Sequence, residues 1–224
     1  MTQYTLKRSK RKTVAIHIRD GAVEVRAPML MARRDIDTFV ASKERWICEH
    51  LAQSRSNVER RGAFAVEYGD DLTLRGAGYP LVARDGKHGG FDGERFYLPP
   101  DLAQSQIKAA IVQVYRSLAK LYVAERVAQF ARLMGVSPAA VKINAAKSRW
   151  GSCSGKKSLN FSWRLIMADD AVIDYVVVHE LAHITELNHS ARFWSIVSGV
   201  LPDYKERQKR LKELQRRLNT EDWE

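Results

Sequence analysis

The sequence predicts an α+β fold in two parts: a mainly β N-terminal region with one helix over residues 1–100, and a helix-rich domain with a small sheet over residues 101–224. Three observations predict it. Apolar and polar residues alternate on both sides of Asp20-Gly21. Short apolar runs broken by glycines and aromatics fill the stretch up to Pro99-Pro100. From Gln104 onward the apolar positions recur with a helical period.

In chain order, TVAIHIRDGAVEVRAP places Val14, Ile16 and Ile18 on one face, with Val23 and Val25 set to oppose them. Asp-Gly between alternating runs is a strong hairpin signal. Ile36, Phe39, Val40, Ile47 and Leu51 follow at helical spacing, which predicts a helix from about Asp35 to Gln53; the polar SRSNVERRG after it reads as a loop. LTLRG, YPLVAR and RFYLPP read as strands joined by turns. Ile107, Ile111, Val114, Leu118, Leu121, Val127, Phe130 and Leu133 predict one long helix to Met134, with Gly135 as its stop and Pro138 soon after. VKINAAKSRWGSCSGKKSLNFSWRLIM reads as two or three strands with a turn at Ser154-Gly155. Asp169 or Asp170 caps a helix through VIDYVVVHELAHITEL, and Ser190 caps another over ARFWSIVSG. In the last segment Tyr204, Leu211, Leu214 and Leu218 share one side of an amphipathic surface helix.

A chain of 224 residues is long enough to bury a substantial core. Its 37 Lys and Arg against 26 Asp and Glu give a net charge of +11, which suits an anionic partner or, equally, a solvated basic surface. Two cysteines, Cys48 and Cys153, are too few for a disulfide framework and fit a reduced, cytoplasmic setting. The basic N-terminus carries no apolar h-region, and no apolar run approaches the roughly 18 residues of a membrane span. Neither secretion nor membrane insertion is expected.

The stretch YVVVHELAHITELNHSARFW holds three of the six histidines within eleven positions. HELAH is H-E-x-x-H. On a helix His179 and His183 share a face one turn apart and offer two imidazoles to one ion. Glu180 is rotated by about 100°, beside the ligands, where a general base reaches metal-bound water without taking a coordination position. The third candidate ligand, His189, fails on an unbroken helix, where it points roughly 80° away from His179 and lies roughly 9 Å beyond His183. The helix must therefore end between them. Asn188, in the left-handed conformation, is the expected stop and Ser190 the restart. The metzincin signature has the same ligand spacing but a glycine where this chain has Glu186, so the turn differs. Three neutral imidazoles leave one tetrahedral position open, which marks one catalytic zinc ion as the expected cofactor.

SRWGSCS (148–154), LNFSWRLIM (159–167), YVVVHELAH (175–183), NHSARFW (188–194) and PDYK (202–205) together resemble the YgjP-like family, as does the N-terminal YTLKRSKRKT. The resemblance implies a zincin-like metallohydrolase domain, related to SprT-like and minigluzincin peptidases, with an edge strand beside the active-site helix. SRWGSCS or LNFSWRL is the expected edge strand. It also implies His179, His183 and His189 as ligands and Glu180 as catalytic base. Members of the family carry both a metallopeptidase name and the name UTP pyrophosphatase. A peptide substrate, paired by its backbone with the edge strand, is the first expectation. A nucleoside triphosphate held by basic side chains is the alternative, and a binding module with a degenerate site is a third, disfavoured by the intact Glu180. Arg149 and Arg164 are the candidate substrate-binding cations, beside Trp150 and Trp163, which either stack on a base or fill the core. Tyr204 is a weaker candidate oxyanion donor, and Cys153 reads as a small buried residue.

Overall fold

A computed structural model describes residues 2–223 of the chain. The chain forms two compact units that divide between Phe64 and Ala65: the first runs to Phe64 and takes in Arg217–Asp222, the second is Ala65–Arg216 with Trp223. Pro99-Pro100 lies within the second unit, between its short strands and its long helix.

In the first unit, β1 (Thr5–Ser9), β2 (Ala15–Arg19) and β3 (Ala22–Pro28) form a sheet in the order β1-β3-β2, with β3 parallel to β1 and antiparallel to β2. Asp20 and Gly21 make the hairpin turn with φ of 48° and 73°, the paired positive values that a two-residue hairpin of this twist requires. Ile16 faces Val25 and Ile18 faces Val23 across the hairpin. Their side packs on Ile36 and Val40 of α1 (Arg33–Ser42) and Ile47 of α2 (Glu44–Ala63).

The helix expected over 35–53 is thus two helices, broken at Lys43 (φ −110°, ψ 11°). SRSNVERRG, expected as a loop, instead continues α2. The segment contains no proline, its only glycine comes at the end, and Arg and Glu are good helix formers. Ser54 supplies a fixed point, because its Oγ accepts a 3.0 Å hydrogen bond from the backbone N–H of Gly21 in the hairpin turn.

The second unit opens with β4 (Asp71–Leu74), β5 (Ala77–Ala83), β6 (Gly90–Phe91) and β7 (Phe96–Leu98), in the order β4-β5-β7-β6. The long helix α3 (Gln104–Met134) ends at Gly135, whose φ of 65° is the left-handed stop. β8 (Ala140–Asn144), β9 (Gly151–Cys153) and β10 (Ser158–Ser162) then form a second sheet in the order β8-β10-β9. β10 runs parallel to β8 and antiparallel to β9, which leaves β9 on an edge.

The strand expected through LNFSWRLIM stops at Ser162, and Trp163–Met167 form a 3-10 turn. All five of its residues are buried, which a strand with one solvated face cannot achieve by alternation. Three helices complete the unit: α4 (Asp170–Ala182), α5 (Ala191–Val200) and α6 (Tyr204–Leu218), whose residues to Arg216 belong here.

α4 is the central element. α3, α5 and β9 all pack against it, and ten of its thirteen residues are buried. Three consecutive valines are modest helix formers, so burial rather than propensity makes this segment helical. Asp169 caps its start, its Oδ1 accepting from the N–H of Val172 at 3.1 Å. Two arginines fix it further. Arg75 grips Asp170 at 2.7 and 2.5 Å, and Arg126 of α3 grips Asp174 at 2.6 and 2.7 Å. Among the described residues, no helix is long and apolar enough to cross a membrane.

Candidate metal centre

His179 lies in the last turn of α4 and His183 is its C-terminal cap, still in helical conformation (φ −65°, ψ −16°). The helix stops there instead of running to Leu187. The N–H groups of Ile184 and Thr185 bond the carbonyls of Leu181 and Ala182 at 3.0 and 3.1 Å, a tightened final turn. The chain then folds back, but not through a left-handed Asn188. Among the described residues, positive φ outside glycine occurs only at Asp20, Arg75 and Lys157. The Asn188 side chain makes the turn instead, its Oδ1 accepting from the Ser190 N–H at 2.9 Å. Ser190 then caps α5 by accepting from the N–H of Phe193 at 3.3 Å.

This fold-back brings the three imidazoles together. One ligand atom from each of His179, His183 and His189 lies within 4.8 Å of the others. Nε2 of His179 and Nε2 of His189 are 3.0 Å apart, close to the roughly 3.3 Å that separates nitrogens around a tetrahedral zinc. His183 places its Nδ1 3.0 Å from the carbonyl oxygen of Glu186. With Nδ1–H donating there, Nε2 keeps its lone pair for an ion. Burial, reinforced by the other two rings, pushes the pKa of His179 down to about 3. Burial lowers that of His183 as well. Both therefore stand as neutral imidazoles, the ligating form. Nδ1 of His179 is buried without a protein hydrogen-bond partner. Its ring is held by packing against Tyr175, Phe193 and Trp194, at centroid distances of 5.8, 4.9 and 6.0 Å. The donor set, its convergence and its protonation fit a divalent metal ion.

Glu180 follows His179 on α4 and is 6% exposed. Burial raises its carboxyl pKa to about 7, with the positive charge of Arg149 acting in the opposite direction. It sits against β9 at Gly151. A Cβ on that glycine would stand 2.6 Å from both Cγ and Oε1 of Glu180, so the strand approaches the carboxyl this closely only as glycine.

The two cations expected at the site separate. Arg149, exposed just ahead of β9, is near enough to act on Glu180. Arg164 is buried in the 3-10 turn, its guanidinium donating to the carbonyl of Ala145 at 3.0 Å and lying 4.6 Å from the Trp163 ring. Trp163 itself is core, stacked on Tyr115 at 5.6 Å. Cys153 is half-buried rather than buried, with its thiol pKa raised first by burial and then by the charge of Glu180. Tyr204 stacks on Trp194 at 5.2 Å.

Sequence reading did not single out Gly151, Phe193 or Trp194. The signals were present as the glycine in WGSC and the aromatic pair directly after NHSAR.

Two solved structures, both metallopeptidase zymogens, are similar to parts of the chain. Abylysin of Pyrococcus abyssi shares 24% identity, with 41% of this chain and 92% of that one covered and a TM-score of 0.38. Jannalysin of Methanocaldococcus jannaschii shares 19% identity, with 41% and 94% covered and a TM-score of 0.37. No curated protein matches the sequence. The family model described as the YgjP-like metallopeptidase domain matches residues 12–214, a span holding β2 through most of α6 and all three imidazoles. The chain therefore belongs to the YgjP-like family and is a metal-dependent hydrolase.

Proposed function

We propose that the protein is a zinc-dependent peptidase, with His179, His183 and His189 holding the ion through Nε2 and Glu180 acting as general base. The convergence of three imidazoles beside a buried carboxyl carries this reading. When bound, zinc supplies Lewis acidity and brings the pKa of a water to about 7. Glu180 takes the proton of the attacking water and returns it to the leaving amine. Its buried position against Gly151 fixes the carboxyl and shields it from bulk solvent. Arg149, whose positive charge acts on Glu180, is the candidate to favour a developing oxyanion.

The sheet order supports one mode of substrate binding. β9 uses one edge for β10 and presents the other, so an extended peptide adds as a further strand through backbone hydrogen bonds. This supports a peptide over a nucleoside triphosphate. A triphosphate needs several converging cations, yet Arg164 is committed to the carbonyl of Ala145 and to Trp163.

The test is a substrate panel on purified zinc-loaded protein. Unstructured peptides are set against nucleoside triphosphates including UTP, with Glu180→Gln as the inactive control. Peptide cleavage that disappears in the variant is the expected result. Hydrolysis of UTP alone, lost in the same variant, would replace the peptidase reading with the pyrophosphatase.

A further inference from the structure

We infer that Trp194 is a positioning residue for the metal centre, holding the third imidazole by ring stacking. The inference rests on the reading of His179, His183 and His189 as ligands. The three rings are fixed by different means. His183 is tied by its Nδ1 to the carbonyl of Glu186. His179 is enclosed by Tyr175, Phe193 and Trp194. His189 is held less completely. It is exposed, and it lies in the irregular link between α4 and α5. Its Nε2 faces Nε2 of His179, so that nitrogen is directed at the ion and does not anchor the ring to protein.

What fixes its plane is Trp194. The two rings stack with centroids 5.8 Å apart and planes 28° apart. Phe193 closes the edge at 4.7 Å and 72°. Trp194 is in turn stacked on Tyr204, the first residue of α6, at 5.2 Å and 19°. The result is a continuous stack from the exposed imidazole through α5 to the start of α6. With one ring against His189 and another against Tyr204, the indole is a support and not a platform for substrate. An exposed histidine on a link otherwise samples several rotamers, and each ion bound must then oppose that freedom. Groups that orient a ligand from behind typically change metal affinity 10–100-fold when removed.

The experiment measures zinc affinity by competition with a chromophoric chelator, together with indole emission on zinc addition. It uses the full chain and the variants Trp194→Phe, Trp194→Leu, Tyr204→Phe and His189→Ala, each checked for native circular dichroism. Trp194→Leu keeps an apolar side chain without a planar ring, and is expected to bind zinc roughly 10–100-fold more weakly. Trp194→Phe keeps a ring to stack, so most of the affinity remains while the zinc-dependent change in indole emission is lost. Tyr204→Phe keeps the stack and binds as wild type. If Trp194→Leu matches wild type while His189→Ala binds weakly, the stack does not position the ligand and the inference fails alone. If His189→Ala itself binds as wild type, the ligand reading fails first.

Discussion

At the scale of single residues, the proposed mechanism gives the proton to Glu180 and the ion to the three imidazoles. Glu180→Gln preserves shape and leaves the three imidazoles untouched. The variant is expected to bind zinc as wild type while kcat falls by a factor on the order of 10²–10⁴, the usual contribution of a positioned base. Zinc content by atomic absorption, measured beside turnover, checks both halves; activity near wild type would remove Glu180 from the mechanism. Gly151→Ala tests the same carboxyl from the strand side. Its new Cβ would meet Glu180 at 2.6 Å, a contact that real structures do not tolerate. Either β9 moves outward or the carboxyl turns, and both separate base from substrate. A large loss of kcat with zinc affinity retained is expected. Wild-type kinetics would mean that the close approach of strand and carboxyl is dispensable.

At the scale of elements, α4 is a helix by circumstance more than by propensity. Asp169 secures its start by accepting the N–H of Val172 and by pairing with Arg210 at 2.6 Å. Asp169→Ala is expected to destabilise the protein by about 1 kcal/mol, the usual cost of losing an N-cap. Chemical denaturation is the measurement, and an unchanged midpoint would show that Asp170 and its arginine suffice.

What the sequence disclosed follows the range of the forces involved. The Asp20-Gly21 hairpin, the Gly135 stop and the Asp169 and Ser190 caps are local chemistry, and all appear where the sequence placed them. The pairing of His179 with His183 is likewise a matter of helical period. The continuation of α2 through SRSNVERRG was not legible, because a polar run reads as a loop until one residue, here Ser54, finds a distant partner. The 3-10 turn at Trp163–Met167 was hidden for a similar reason, since its burial depends on α3. The fold-back before His189 was foreseen from what one ion can reach, yet its means was misread. Asn188 serves through its side chain and keeps an ordinary backbone. Gly151 was out of reach, because no local pattern states which strand will lie against which carboxyl.

At the scale of the whole molecule, most of the net charge and the histidine cluster fall in different units. Residues 1–64 with Arg217–Asp222 hold 15 Lys and Arg against 9 Asp and Glu, so +6 of the +11 belongs to the unit without the three clustered imidazoles. The three imidazoles proposed to hold the metal, by contrast, sit at the end of α4 and on the link that starts α5, both within Ala65–Arg216. Zinc bound only by the folded form stabilises it by about 2.7 kcal/mol when free zinc is 100 times Kd. For a unit of this size each kcal/mol moves the melting temperature by roughly 2–4 °C. Zinc is thus expected to raise the melting temperature by roughly 5–10 °C over the EDTA-treated protein. Glu180→Gln should keep that shift, because it retains all three imidazoles, and His189→Ala should lose most of it. Scanning calorimetry with and without chelator measures this. A zinc shift of full size in His189→Ala would mean that the ion is held without the third imidazole, and that the fold-back after α4 serves packing alone.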